Sequence, residues 1–191
     1  MPAASVRKPL ILAWGAKARQ GKNEAVAAVE SVAAQNGFSK VLVVGFADAL
    51  KTFAQDYAGM VGKDAPLLQA LGNHMRGLSA DFWIKIVARR IESEKPDLVL
   101  IPDLRYLNEA EWVTSNDGIC IEIVRLRSNG KRYIADDRDP NHVSETSLDG
   151  YPFSYTVTAQ SGKPEELRRD VTELFGRIVA ERYGQGEDDG A

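Results

Sequence analysis

The chain has 191 residues, 44% of them hydrophobic, and its 24 basic and 27 acidic side chains leave a formal net charge of −3, with a pI near 5.5. That is enough apolar chain to bury a full core in one domain, and the acidic balance argues against a broad nucleic-acid surface while leaving room for a small anionic ligand in a local basic cleft. The single cysteine, Cys120, excludes an internal disulfide and sits in an apolar run that marks it as a buried thiol, and no apolar run approaches the ~18–20 residues that span a bilayer, so the chain reads as cytoplasmic.

The first element, Leu10-Ile11-Leu12-Ala13-Trp14, reads as a buried strand. A turn of small and basic residues follows, Ala16-Lys17-Ala18-Arg19-Gln20-Gly21, and then a helix with Ala25, Val26, Val29, Val32 and Ala33 on one face. This is close to the phosphate-binding pattern G-x-x-x-x-G-K-[ST], with Ala16 in place of the first Gly and Asn23 in place of the hydroxyl that binds Mg²⁺. Where a helix starts, its first N–H groups lack internal partners and its dipole is positive. Amides around Gly21 can therefore wrap an anion that Lys22 neutralises. An Ala fits a loop position at negative φ, and Asn offers Mg²⁺ a carbonyl oxygen, directly or through water. The alternative is an ordinary Gly-Lys turn between strand and helix.

Gly37 suits the end of the first helix, and residues 41–44 form a second buried strand that completes a βαβ unit. The next helix carries Leu50, Phe53, Ala54, Tyr57 and Val61 at helical spacing. Asp48 either caps it or, lying past a strand's carboxyl end, faces a ligand. Residues 64–94 continue as helix, with Leu67, Leu68 and Leu71 before a predicted break at 72–79 and Trp83, Ile84, Val87, Ala88 and Ile91 after it. So long an all-helical insertion suggests a subdomain that moves over a site. Of its basic residues Arg76, Lys85, Arg89 and Arg90, the predicted break singles out Arg76 as a ligand contact.

Residues 97–101 form the third strand and run into Pro102-Asp103-Leu104-Arg105. Alternation along extended chain puts Asp103 and Arg105 on one side of the sheet edge, facing the first turn. An acid there suits a second Mg²⁺ anchor and the Arg a bidentate phosphate contact, the alternative being a mutual salt bridge. Asn108 and Glu111 read as the capping box of a helix ending at Gly118, and residues 119–126 as the fourth strand. The long polar, Arg-rich segment 127–145 is a lid or a surface loop. Its His142 caps or hydrogen-bonds locally, since no Cys or acid stands at zinc spacing. Residues 153–158 alternate as a fifth strand. The last helix buries Leu167, Val171, Leu174, Phe175, Ile178 and Val179, and residues 184–191 are a frayed acidic tail.

Six segments, taken together, carry a resemblance: Lys17-Ala18-Arg19-Gln20-Gly21-Lys22-Asn23, Phe46-Ala47-Asp48-Ala49-Leu50-Lys51, Leu68-Gln69-Ala70-Leu71-Gly72, Phe82-Trp83-Ile84-Lys85, Asp103-Leu104-Arg105-Tyr106-Leu107-Asn108-Glu109-Ala110-Glu111 and His142-Val143-Ser144-Glu145-Thr146. In collinear order over nearly the whole chain, they resemble the bacteriophage-type deoxynucleoside monophosphate kinases. In that family the last loop position is often an acid, which makes Asn23 less unusual, while Ala16 remains a departure. The resemblance implies an adenylate-kinase-like α/β fold: three layers around a five-stranded, mostly parallel sheet. The core would be 8–47, 96–126 and 150–183, with a helical monophosphate-binding region at 48–95, a lid at 127–149 and a disordered tail from 184.

The activity so implied is transfer of the γ-phosphoryl group of ATP to a (deoxy)nucleoside monophosphate, with Mg²⁺. ATP would be bound by Ala16, Lys17, Ala18, Arg19, Gln20, Gly21, Lys22, Asn23 and Glu24, joined by Arg127 and Arg132. Asn23 and Asp103 would hold the magnesium ion, and Asp48, Lys51, Arg76, Trp83, Arg105 and Glu145 would bind the acceptor. Lys22, Asp103, Arg105 and Arg138 would act in the transfer itself. The acceptor is a phosphate, largely ionised at neutral pH, so positioning and charge neutralisation suffice without a strong general base. Alternatives are a dephospho-coenzyme-A or nucleoside kinase, a kinase of a nucleic-acid end or modified base, and a nucleotide-binding module without turnover. The expected partner is the nucleoside monophosphate, with no stable nucleic acid and no membrane. A homodimer is one option for oligomeric state.

Overall fold

The computed structural model describes residues 8–15, 17–62, 64–135 and 139–184. Strands β1 (Leu10–Gly15), β2 (Val41–Val43), β3 (Leu98–Leu104), β4 (Ile119–Leu126) and β5 (Tyr155–Gln160) form one sheet in the order β2-β3-β1-β4-β5. Every neighbouring pair is parallel, so the expected mostly parallel sheet is wholly parallel. The helices are α1 (Lys22–Val32), α2 (Asp48–Tyr57), α3 (Ala65–Leu78), α4 (Phe82–Glu94), α5 (Leu107–Ser115), the short α6 (Val143–Thr146) and α7 (Pro164–Tyr183).

Parallel neighbours need crossovers, and crossovers cover both sheet faces. All six residues of β1 are accordingly buried. Leu10, Leu12 and Trp14 point to one face, where they meet Ala25, Val26 and Val29 of α1 and Leu167, Val171, Leu174, Phe175 and Ile178 of α7. Ile11 and Ala13 point to the other, against Leu50 of α2, Trp83, Ile84 and Val87 of α4, and Ala110 and Val113 of α5. The result is a three-layer α/β/α fold in which each fully buried aliphatic or aromatic side chain is worth about 1.5–3 kcal/mol. From β1 the chain crosses by α1 on the first face toward β2; from β3 it crosses by α5 on the second face toward β4. These connections part at the carboxyl ends of β1 and β3, the place where open α/β sheets leave a ligand crevice.

Packing overrode several local signals. The predicted break at 72–79 is absent, because α3 runs unbroken through Gly72 to Leu78 and Arg76 lies in its last turn. Gly72 is buried, its carbonyl accepts from Trp83 Nε1 at 3.4 Å, and a Cβ there would lie 3.2 Å from both Leu50 Cδ2 and Arg76 Nη1. The glycine serves close packing within the helix. On α2 only Leu50 and Ala54 of the expected apolar face are buried, while Phe53, Tyr57 and the following Val61 are exposed by 47%, 78% and 97%.

Helix α5 begins at Leu107, so Glu109 and not Glu111 takes the third position, and its carboxylate accepts from the Arg105 and Tyr106 amides at 2.9 and 3.1 Å. Asn108 instead donates to Ala80 O and Asp81 Oδ1, tying α5 to the turn before α4. The left-handed residue after α5 is Asp117, with φ 59°, not Gly118. Gly118 is required for a different reason: a Cβ there would fall 2.7 Å from Val113 Cγ1, 2.8 Å from Val113 O and 3.0 Å from Ile11 Cβ. Cys120 is buried, and burial pushes its thiol up to about 11, which keeps it protonated and inert. Among the described residues no helix is long and apolar enough to cross a membrane. The predicted tail beyond Gly184 lies outside the described residues.

Gly118→Ala should therefore cost about 1–3 kcal/mol by overpacking the junction of α5 and β1, read as a lowered urea midpoint at unchanged m-value. An unchanged midpoint would mean that this junction yields freely.

Candidate functional site

A cavity of about 630 Å³ opens where the β1 and β3 connections part, a size suited to a small-molecule ligand. The start of α1, the turn after β3, the inner faces of α2 and α3, the first turn of α5, and His142 and Ser144 around the start of α6 line it. The β1–α1 loop enters α1 through Gly21, whose φ of 103° is left-handed and which gives the helix no side-chain cap. Glycine is needed there twice over, since a Cβ would also meet Leu167 Cδ2 at 2.6 Å. Lys22, buried at the first position of α1, donates through Nζ to the Lys17 carbonyl at 3.0 Å and so spans its own loop. Asn23 is exposed and Glu24 half-buried beside it, both on the cavity wall.

Of the residues expected to bind ATP, the cavity gathers Ala18, Arg19, Gln20, Gly21, Lys22, Asn23 and Glu24. Ala16 and Arg138 lie outside the described residues. Lys17 is turned to Asp149, at 3.0 Å, and does not line the cavity. The Gln20 carboxamide is committed elsewhere: it accepts from Arg125 N at 2.6 Å and donates to Tyr133 O at 2.8 Å, pinning the loop to β4 and the turn beyond it. Glu24 pairs with Arg168 of α7. Arg127 and Arg132 do not line the cavity either. Arg132 pairs with Glu122 at 2.9 Å, and Arg127 lies over the Tyr133 ring and donates to Ile134 O, because the chain after β4 turns back in a hairpin that bridges Leu126 to Arg132.

Among the expected acceptor contacts, Lys51, Arg76 and Arg105 line the cavity and Asp48, Trp83 and Glu145 do not. Asp48 is the first residue of α2, where its carboxylate accepts from Gly45 N at 2.6 Å and pairs with Lys51 at 3.0 Å. Trp83 is core, buried against α3 and stacked edge-on with Phe82. Asp103 and Arg105 make no mutual salt bridge. Asp103 Oδ1 and Oδ2 accept from the Phe46 and Ala47 amides at 2.8 and 2.9 Å and hold the turn between β2 and α2. Arg105 Nη1 pairs with the buried Glu145 at 2.5 Å, and the other oxygen of Glu145 accepts from Ala18 N at 2.8 Å. One carboxylate thus joins the β1–α1 loop, the end of β3 and α6. His142 caps α6 through its ring nitrogen, as expected.

The residues missed from sequence are Glu109 and Tyr106, with Gln69 and Asn73 of α3. Arg76 lies 3.8 Å over the Tyr106 ring and pairs with Glu109 at 3.2 Å. Burial, with the nearby charge of Asp103, pushes the Glu109 carboxyl up to about 7, against the opposing pull of the Arg105 and Tyr106 amides and Arg76. Glu109 stands four residues after Arg105, so the signal was a carboxylate in the first turn of a helix leaving a sheet edge.

A carboxyl raised from 4.5 to about 7 adds stability that is complete below the lower value and is lost as pH rises through the higher one. Glu109→Gln should flatten that part of the pH dependence, on the order of 3 kcal/mol in the wild-type chain, as read by urea unfolding across the window. An identical slope in both proteins would mean that Glu109 is ionised throughout.

No family model matches the chain, and no curated protein matches it. Among solved structures, it is similar to a mutant of the Mycobacterium tuberculosis APS kinase CysC, with a TM-score of 0.45 at 11% identity over 88% of this chain and 97% of that chain.

Proposed function

We propose that this chain transfers the γ-phosphoryl group of ATP to a (deoxy)nucleoside monophosphate. The observation that carries this reading is that one cavity is lined by two sets of groups suited to anions. One set is Lys22 and the first-turn amides of α1; the other is Arg76 and Arg105. Phe46, Leu50 and Leu68 add an apolar wall of the kind a nucleobase needs.

The α1 amides and Lys22 would hold the β- and γ-phosphates of the donor, and Arg76 and Arg105 the acceptor phosphate. An acceptor phosphate oxygen then attacks the γ-phosphorus as the bond to the β,γ-bridging oxygen breaks, and ADP leaves with that electron pair. The chain's part is to align the two phosphates and neutralise their repulsion. Arg105 reaches its phosphate by exchanging one anion, Glu145, for another. Glu109 keeps the Arg76 guanidinium aimed and stacked. Segments 48–95 and 127–149 would be the parts that close over the substrates.

A magnesium ion fits the residues present. Asn23 is exposed at the start of α1, and among the described residues each Asp103 oxygen accepts one amide, leaving lone pairs for an ion or its waters. One carboxylate, one neutral oxygen and the substrate phosphates are the sort of set Mg²⁺ takes. When bound, it would neutralise charge on the donor phosphates. The net charge of −3 speaks against nucleic-acid ends as acceptors.

ADP release measured with Mg·ATP and each common ribo- and deoxyribonucleoside monophosphate tests the reading, since turnover should require one of them. Turnover confined to a nucleoside, dephospho-coenzyme A or another small acceptor would replace it with that kinase. Lys22→Ala should lower turnover by roughly 10²–10³-fold, as for loss of one electrostatic partner of the transition state. Near-normal turnover in that variant would remove the phosphate-loop assignment.

A further inference from the structure

The face that α3 turns to the cavity carries Ala65, Leu68, Gln69, Asn73 and Arg76. These positions recur at the three- and four-residue spacing of one helical stripe. Ala70 and His74, a quarter-turn or more around the helix, are exposed and do not line the cavity. Arg76 is already answered by Glu109 and the Tyr106 ring, and Leu68 belongs to the apolar wall. Gln69 stands apart from both. It is half-buried, and its carboxamide has no hydrogen-bond partner among the described residues. A polar group that gives up water at a cavity wall without an internal partner is one that a bound ligand can satisfy.

The stripe also measures distance along a ligand. Successive helical residues rise ~1.5 Å, and long side chains lean toward the amino end of their helix. Arg76 does so, since its Nη1 lies 3.2 Å from the place a Cβ on Gly72 would take. The guanidinium, and an acceptor phosphate held by it, is therefore level with Gly72 and Asn73. Gln69 starts roughly 4–6 Å nearer the amino end of α3 and leans further the same way. A nucleoside monophosphate has a matching layout, with its base beyond the sugar and on the order of one helical turn from the phosphorus. At that level Leu68 offers the ring face an apolar surface, and Gln69 offers its edge a polar group.

We propose that Gln69 reads the base of the acceptor, an inference that rests on the nucleoside monophosphate reading above. A carboxamide presents an N–H donor beside a carbonyl acceptor. It pairs through two hydrogen bonds with a base edge that sets an acceptor beside a donor. Asn73, level with the phosphate, lies on the sugar side and takes no part in the choice of base.

The test is kcat/KM with Mg·ATP for the monophosphates of adenine, guanine, cytosine and thymine nucleosides. The wild-type chain should discriminate among them. Gln69→Ala, which keeps a strong helix former at the position, should narrow the ratio of best to worst at least about tenfold, through loss with the preferred base. Gln69→Glu replaces the NH2 donor by a second acceptor, and should raise guanine relative to the other three because its N1–H and N2–H2 are adjacent donors. Asn73→Ala should lower all four alike. Equal turnover of all four by the wild-type chain, a ratio untouched by Gln69→Ala, or one narrowed instead by Asn73→Ala would overturn the role of Gln69 and leave the acceptor class standing. Turnover of none of the four by the wild-type chain would overturn both.

Discussion

The position of β1 constrains everything else. It lies parallel between β3 and β4 with both faces covered, so its backbone is satisfied within the sheet and its side chains can only be apolar. Polar chemistry is thereby expelled to the strand ends. Gly15 is in register with Leu104, which sets the β1–α1 loop beside the end of β3 that carries Asp103 and, just past it, Arg105. Because α1 leaves on one face and α5 on the other, nothing fills the crevice between them. The cavity forms there, and the helical insertion between β2 and β3 walls it.

Its cations are held in place by buried carboxylates, which differ in kind from the surface ion pairs. Pairs such as Lys8–Asp117 or Arg169–Glu173 join exposed groups and contribute little. Glu109 and Glu145 are almost fully buried, each against an arginine on the cavity wall. Removing one member of such a pair strands the other charge, at about 3–5 kcal/mol. In the resting chain these carboxylates answer the arginines. A phosphate entering the cavity offers the same arginines a second anion, so ligand binding and the arrangement of α6 and α5 share the same groups. Glu145 extends this coupling to the β1–α1 loop through the Ala18 amide.

In the chain that follows β4, the structure holds Arg127 and Arg132 away from the cavity. A lid whose arginines reach the nucleotide was expected from a long, polar, Arg-rich segment. Instead Arg127 and Arg132 are occupied by Ile134 O and Glu122 within their own hairpin, while Glu145 makes the connection to the site. Counting charge along a segment shows that cations are present and is silent about which acids the fold delivers to them. For the same reason Gln20, placed by its motif among ligand contacts, spends its carboxamide on Arg125 and Tyr133.

Read alone, the sequence determined the strand and helix succession, the apolar face of α7 and the loop around Gly21 and Lys22, because each follows from periodicity or from backbone rules acting within a few residues, whereas the three layers were implied by the resemblance. Gly118 shows where such rules stop: it was legible as a glycine after a helix, and Val113, which crowds it, is only five residues earlier, but the approach of Ile11 joins elements far apart in the chain. Gly72, Trp83 and Arg76 changed meaning together for the same cause, since packing of α3 on Leu50 and Trp83 kept a helix intact where propensity alone predicted a break. The roles of Glu109 and Glu145 were decided only in three dimensions. A carboxylate's function depends on which cation shares its burial, and Arg76 and Arg105 stand 33 and 40 residues away along the chain. Local rules cannot reach that distance; the parallel sheet, by drawing its strand ends together, does.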